Sequence, residues 1–258
     1  MGERQPGRAI GIRVNPGIGT GYGGNDQLTY AGSQATKFGV YREQWDEALA
    51  MARSFGLRVE TLHFHVGCGY LNRELDSWEK ALDAGFAFAS DLPDLTTVNI
   101  GGGLGLPHRA EDQPLNLRKW STILAKRFGS GGPGIAVEPG DFLVKDAGVL
   151  ILEATDVERK RDTLFVSVNG GFNLHPEPAF YDLPCEPAPC LLRSRTQADW
   201  QRTTIAGNIN EALDLWRNDI AFPPVKEGDA IAFINAGGYG SSMSSNHCMR
   251  GDFSEIAI

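Results

Sequence analysis

Between residues 8 and 138 the chain alternates short β-branched runs with segments of helical period. "RAIGIRVN" (8–15), "LRVETLHFHVG" (57–67), "TTVNI" (96–100) and "GIAVEPG" (134–140) read as strands. From Arg42 to Phe55 the apolar positions Trp45, Ala48, Leu49, Ala52 and Phe55 recur at helical spacing, and Gly56 is a fitting stop. "SWEKALDAGFAFAS" predicts a second helix opened by Asp76 or Ser77. "LRKWSTILAKRF" predicts a third, capped by Asn116 and ended by Gly129. Strands separated by helices imply parallel pairing through crossovers, in an α/β layer or barrel. Past about residue 142 the pattern changes. "FLVKDAGVLILEATDV", "TLFVSVNG", "AIAFINAGGYG" and "SEIAI" are β-like, and "NEALDLWRND" is the one good helix candidate. The expected division is therefore an α/β domain over 1–142 and a β domain over 143–258.

Composition excludes several functions. A net charge of −8 over 258 residues argues against a nucleic-acid footprint. No apolar run is long enough to span a bilayer, and no signal peptide is legible. Cys68, Cys185, Cys190 and Cys248 lack paired zinc spacing, so no metal site is expected. They read as free thiols in a reducing cytoplasm.

"TTVNIGGGLGLP" places Gly101, Gly102 and Gly103 just past a strand end. In parallel α/β units ligands lie beyond the carboxyl ends of strands. Consecutive bare N–H groups can wrap a phosphate there without a Cβ clash, although a tight turn of packing glycines explains the run equally well. Other strand ends add chemistry. "HFHVG" sets His63 and His65 on one strand face, "VEPG" ends in Glu138, and "NAGGYG" carries Tyr239 in a glycine turn. Singly, each reads more simply as a core histidine, a structural carboxylate or a phenol capping a core.

Taken in order, the motifs "IGIRVNPGI…KFGV", "LHFHVG", "VNIGGGLG", "VEPGDFLV", "NGGFN…EPAFYD", "AGNINEALD" and "GDAIAFINAGGYGSSMSSN" span nearly the whole chain. In that order the sequence resembles the fold-type III pyridoxal-phosphate decarboxylases, which act on diaminopimelate, ornithine or arginine. The resemblance implies the second half of an alanine-racemase-like (β/α)8 barrel, from about the fifth strand to the eighth, followed by a β-barrel or sandwich domain. It implies pyridoxal 5'-phosphate as cofactor. His65 would stack on the cofactor ring, and Glu138 would pair with the pyridine nitrogen and keep it protonated, making the ring a better electron sink. Gly101, Gly102 and Gly103 would bind the phosphate through N–H groups, with the Tyr239 hydroxyl as a further donor and Cys68 as a contact. Family members place the active site at a dimer interface, so Asn210 and Glu211 would act in the other subunit's site.

The sequence departs from the family pattern in three ways. The lysine that carries the cofactor lies upstream of "IGIRVNP" in the family, and none of Lys37, Lys80, Lys119, Lys126, Lys145, Lys160 and Lys226 has its context. Half a barrel also leaves open strand edges and an exposed apolar interior. The expected partner is a complementing polypeptide that carries the missing half barrel and its lysine, in a dimer of such heterodimers. A truncated sequence is the alternative, and the initiating methionine of "MGERQPG" favours the complementing chain. Second, Asn210 stands where the family has a cysteine that helps protonate the product, and an amide has no readily transferable proton. Third, Asp141 and Glu177 stand where relatives carry arginines, the latter ahead of Tyr181 in "EPAFY", which implies a substrate whose distal end is neutral or cationic. The expected activity is decarboxylation of an amino acid or amino-acid-derived metabolite. Racemase or lyase chemistry on the same fold, or a non-catalytic regulatory relative, are the alternatives.

Overall fold

The computed structural model describes residues 3–32, 34–191 and 196–258; Met1, which the sequence reading used, lies outside them. The chain divides into two compact units. The first comprises residues up to Pro107 together with Asp112–Phe142, and the second His108–Glu111 together with Leu143–Ile258.

In the first unit, strands β1 (Ala9–Arg13), β2 (Arg58–His63), β3 (Thr97–Asn99) and β4 (Gly134–Ala136) form one parallel sheet in sequence order. The crossovers are helices α1 (Trp45–Ser54), α2 (Leu75–Phe86) and α3 (Leu117–Phe128). Trp45, Leu49, Trp78, Leu82, Ile123 and Leu124 from the helices pack in one core with Leu62 and Val98 from the strands and with Phe64 and Ile100 just past the ends of β2 and β3. Period-two alternation therefore turns His63 and Asn99 to the opposite face. Local chemistry sets the helix ends. Asn116 caps α3 by accepting the Lys119 N–H at 3.0 Å, and Gly56 leaves α1 at φ +63°. The second helix begins at Leu75, one residue before the expected cap. A 3-10 turn over Asn72–Glu74 precedes it, and the Glu74 carboxylate accepts the Leu71 N–H.

In the second unit, α4 (Asp141–Val144) ends where the unit begins, and β5 (Leu150–Lys160), β6 (Thr163–Val168), α5 (Glu177–Tyr181), β7 (Pro187–Pro189), β8 (Gln201–Ala206), β9 (Leu215–Phe222) and β10 (Ala230–Phe233) follow. The sheet order is β7-β10-β5-β6-β8-β9, antiparallel except for the β6–β8 pair. A register shift between Ala154 and Asp156 lets the long β5 pair with β10 along its first part and with β6 along its second. Leu152, Val166, Val168, Ile205, Trp216, Ile231 and Phe233 fill its core.

Three local expectations fail here. The start of "FLVKDAGVLILEATDV" is helical, as α4 and a 3-10 turn over Lys145–Ala147, and the strand begins only at Leu150. "NEALDLWRND" is a turn leading into β9, with no helix. The Asp214 carboxylate explains the difference, because it accepts the N–H groups of Phe172 and Ile209, both at 2.7 Å, and folds the turn around itself. Trp216 then donates its indole N–H to the Gly170 carbonyl at 2.9 Å, which a helix would not allow. The terminal "SEIAI" has no regular structure; Ile256 and Ile258 lie exposed, without a strand to pair with.

Candidate active site

The parallel register lines up the strand ends. Arg13 pairs with His63, His63 with Asn99, and Asn99 with Ala136. Two residues further along each of the last three strands come His65, Gly101 and Glu138. The ladder continues past the strands, since Phe64 N–H reaches the Asn99 carbonyl, Ile100 N–H the Ala136 carbonyl and Glu138 N–H the Gly101 carbonyl. Residues far apart in sequence thus reach one carboxyl-end rim because every strand runs the same way.

Asn99 organises that rim. Its Nδ2 donates to Glu138 Oε1 at 2.7 Å, and its Oδ1 accepts the Gly101 N–H at 2.9 Å. The other carboxylate oxygen of Glu138 lies 4.0 Å from His63 Nε2, a buried ring nitrogen with no hydrogen-bond partner. The Glu138 side chain stays 53% exposed, so its carboxylate is oriented yet open to a ligand.

The glycines answer first to protein backbone. A Cβ on Gly102 would lie 2.2 Å from the Glu138 carbonyl, and one on Gly103 would lie 1.9 Å from the Gly67 carbonyl. Gly101 (φ +71°) and Gly103 (φ +88°) also occupy left-handed backbone. Neighbouring strand ends therefore exclude side chains here before any ligand does. The Gly101 N–H, expected at a phosphate, is spent on Asn99. The N–H groups of Gly102 and Gly103 have no acceptor among the described residues. The cradle is two amides, not three.

His65 is mostly buried. Its Nδ1 accepts the Gly67 N–H at 3.3 Å, and its ring meets Tyr30 edge-on at 5.0 Å. Burial is the main cause that pushes its pKa down to about 4, with Arg13 and His63 adding to the fall, so the ring is neutral at physiological pH. Burial also lowers the pKa of His63 and of Arg13, opposed in both by the Glu138 charge. Cys68 Sγ donates to the Tyr30 hydroxyl at 3.2 Å, so Tyr30 holds both groups. Sequence reasoning missed Asn99, Tyr30 and Arg13. The Asn99 side chain directly before the glycines was the available signal; the positions of Tyr30 and Arg13 depend on tertiary contacts.

In the second unit Tyr239 is exposed, at φ +54°. Asn210 and Glu211 are exposed on the turn that Asp214 organises. Tyr181 is half-buried at the end of α5. Glu177 corrects the reading from sequence. It is 5% exposed and ion-paired with Lys145, itself 1% exposed, so its charge is answered inside the chain and does not face a substrate. Asp141, half-buried at the start of α4, is left as the acid of that pair.

Comparison with known proteins gives the family. Residues 1–145 match the family model described as the pyridoxal-dependent decarboxylase, pyridoxal binding domain. The chain belongs to the pyridoxal-dependent decarboxylases, whose cofactor is pyridoxal phosphate. It is 30% identical over 264 residues to a diaminopimelate decarboxylase of Methanothermobacter thermautotrophicus, covering 98% of this chain and 60% of that protein. With the Escherichia coli K12 diaminopimelate decarboxylase it shares 29% identity over 267 residues, covering 97% of this chain and 62% of that one. The Helicobacter pylori diaminopimelate decarboxylase crystallised with L-lysine superposes at a TM-score of 0.78 with 25% identity, over 94% of this chain and 59% of that one. A Paramecium bursaria Chlorella virus arginine decarboxylase shares the fold at a TM-score of 0.76 and 17% identity, over 92% of this chain and 62% of that one. The chain spans about three fifths of the length of these relatives.

The rim fits most of the cofactor. Two unclaimed amides suit a phosphate, an oriented and accessible carboxylate suits a pyridinium, and a neutral imidazole suits stacking on the ring. Strands β1 to β4 contain no lysine that could anchor it covalently. Lys119 instead reaches Asp76 from α3, and Lys37 lies over the Phe38 ring.

Proposed function

We propose that this chain forms part of a pyridoxal-phosphate-dependent decarboxylase acting on an amino acid or an amino-acid-derived metabolite, with the anchoring lysine supplied by a complementing polypeptide. The observation that carries the reading is the Glu138 carboxylate, clamped by Asn99 at one oxygen and open at the other, beside the free amides of Gly102 and Gly103. The bound cofactor would supply an electron sink for the carbanion left when carbon dioxide departs. Glu138 would hold a proton on the ring nitrogen, and Asn99 would fix the angle from which it does so. His65, uncharged, would cover one ring face without competing for that proton. Gly102 and Gly103 would hold the phosphate, with the Tyr239 hydroxyl as a further donor.

The need for further barrel elements rests on the open sheet. A parallel sheet is ordinarily covered on both faces. Here the outer strand β4 leaves Ile135 40% exposed, and Val137 just beyond it is 42% exposed. Ile135 pairs with the buried Val98, so both exposed side chains lie on the helix side of the sheet, where a further barrel helix would cover them, while the strand paired to β4 would bring the lysine to the rim. In this reading the assembly contains two copies of the chain and two of its complement, with Asn210 and Glu211 reaching the active site of the other copy. Since Asn210 carries no transferable proton, Glu211 or water would protonate the product. A reaction that ends otherwise, such as racemisation or carbon–carbon cleavage, is the second reading, and the same amide favours it.

The test is co-expression with a half barrel bearing a strand-end lysine. A yellow complex that releases labelled carbon dioxide from a carboxyl-labelled amino acid supports the decarboxylase. A yellow complex that releases none supports the second reading, and a colourless complex points to a non-catalytic relative.

A further inference from the structure

Lys145 and Glu177 form a buried ion pair beneath the turn that carries Tyr239. Such a pair is an expensive way to hold a core together, because two charges leave water for one attraction. Three sets of contacts around it show what it holds.

First, the turn hangs on the Lys145 segment. The Lys145 carbonyl accepts the Gly237 N–H at 2.9 Å, and the Gly148 carbonyl accepts the Ala236 N–H at 2.9 Å. The approach is tight, since a Cβ on Gly237 would sit 2.0 Å from the Val144 carbonyl. Second, the Glu177 segment closes from another side. His175, 2% exposed, sets Nε2 at 3.7 Å from Glu177 Oε2, and its Nδ1 lies 3.5 Å from where a Gly240 Cβ would stand. Third, Cys185 Sγ donates to the Ile234 carbonyl at 3.1 Å, at the base of the turn. The ion pair is a side-chain link that ties the 145–148 segment to the 175–177 segment around these residues.

Inside the turn, Asn235 (φ +61°) and Tyr239 (φ +54°) hold left-handed backbone without being glycine. A bulky residue such as tyrosine holds that backbone only where its surroundings over-determine it. We propose that Lys145 is a positioning residue: paired with Glu177, it clasps the 236–240 turn and holds Tyr239 in the left-handed conformation that presents its hydroxyl. The purpose assigned to the clasp rests on the reading that Tyr239 contacts the cofactor phosphate, whereas the clasp itself is a property of this chain alone.

Amide hydrogen exchange on the full chain tests it. In Lys145→Met and in Glu177→Gln, exchange at Gly237 should quicken by at least about tenfold while amides of β5 and β6 keep their protection. Lys145→Arg, and the reversed pair Lys145→Glu with Glu177→Lys, should restore the slow exchange. Unchanged exchange at Gly237 in a folded variant that lacks the pair overturns the proposal. So does a loss of protection spread equally over β5, β6 and the turn, including outright failure to fold, which would mark a general core pair. Tyr239→Phe separates the two readings. It should leave Gly237 exchange unaltered, and its effect on affinity for pyridoxal phosphate relative to pyridoxal bears only on the phosphate contact.

Discussion

Asn99 and Glu138 stand 39 residues apart in sequence and are joined by a 2.7 Å hydrogen bond from Nδ2 to Oε1. The same asparagine accepts the Gly101 N–H, so one amide sets both the carboxylate and the first glycine. Strand register makes this possible, because Asn99 faces Ala136 across the β3–β4 pair, two residues short of Glu138.

Removing that amide should therefore damage the site more than the fold. Asn99→Ala would lose two hydrogen bonds at the rim, costing about 1–3 kcal/mol of stability. Its larger effect should be on the complemented assembly, in which the bound cofactor's absorbance should become more sensitive to pH as the ring proton loses its oriented partner. An unchanged spectral titration would show that Asn99 does not govern Glu138.

Gly103→Ala should be severe. The new Cβ would lie 1.9 Å from the Gly67 carbonyl, at a residue already at φ +88°. Backbone has to move, and a loss of more than about 3 kcal/mol is expected in denaturant unfolding. The same change at Gly131, which has open space around its Cβ position and φ +97°, should cost only the left-handed backbone term, about 1–2 kcal/mol.

The pH dependence of stability should carry the mark of His65. Its pKa falls from the ordinary 6.5 to about 4 on folding, so protonation favours the unfolded chain. The stabilisation is complete above about pH 6.5 and drains away as the pH drops towards 4, by about 3 kcal/mol in all. His175, pushed down to about 3 mainly by burial and then by Lys145, acts in the same direction and extends the loss to lower pH. Urea unfolding at pH 7.5 and pH 5 should show the decline, and His65→Gln should make it shallower, leaving the part due to His175. An equally steep decline in His65→Gln would mean that the ring is not buried as described.

Asp214→Ala should unfold the turn bearing Asn210 and Glu211. The carboxylate is 4% exposed and takes two backbone N–H groups, so its removal strands both donors at a cost of about 2–4 kcal/mol. Asp214→Asn, which keeps an acceptor, should cost less. Exchange at Ile209 and Phe172 is the direct readout.

The alternation of β1 to β4 with α1 to α3 was legible along the chain, because apolar period and capping residues such as Asn116 are local properties. It also marked the residues that the parallel rim carries, since His65, Gly101 and Glu138 each follow a strand end. Tertiary structure decided the rest. The helix expected at "NEALDLWRND" gave way to carboxylate bonds from Asp214 that reach back 42 residues to Phe172. Glu177 became the partner of Lys145, 32 residues away, and left the substrate question. The glycines at 102 and 103 were legible as a place without side chains, but what excludes those side chains is the carbonyls of Glu138 and Gly67. Periodicity and motif order are written along the chain, whereas the pairing of charges and the approach of one backbone to another depend on register and packing between segments distant in sequence.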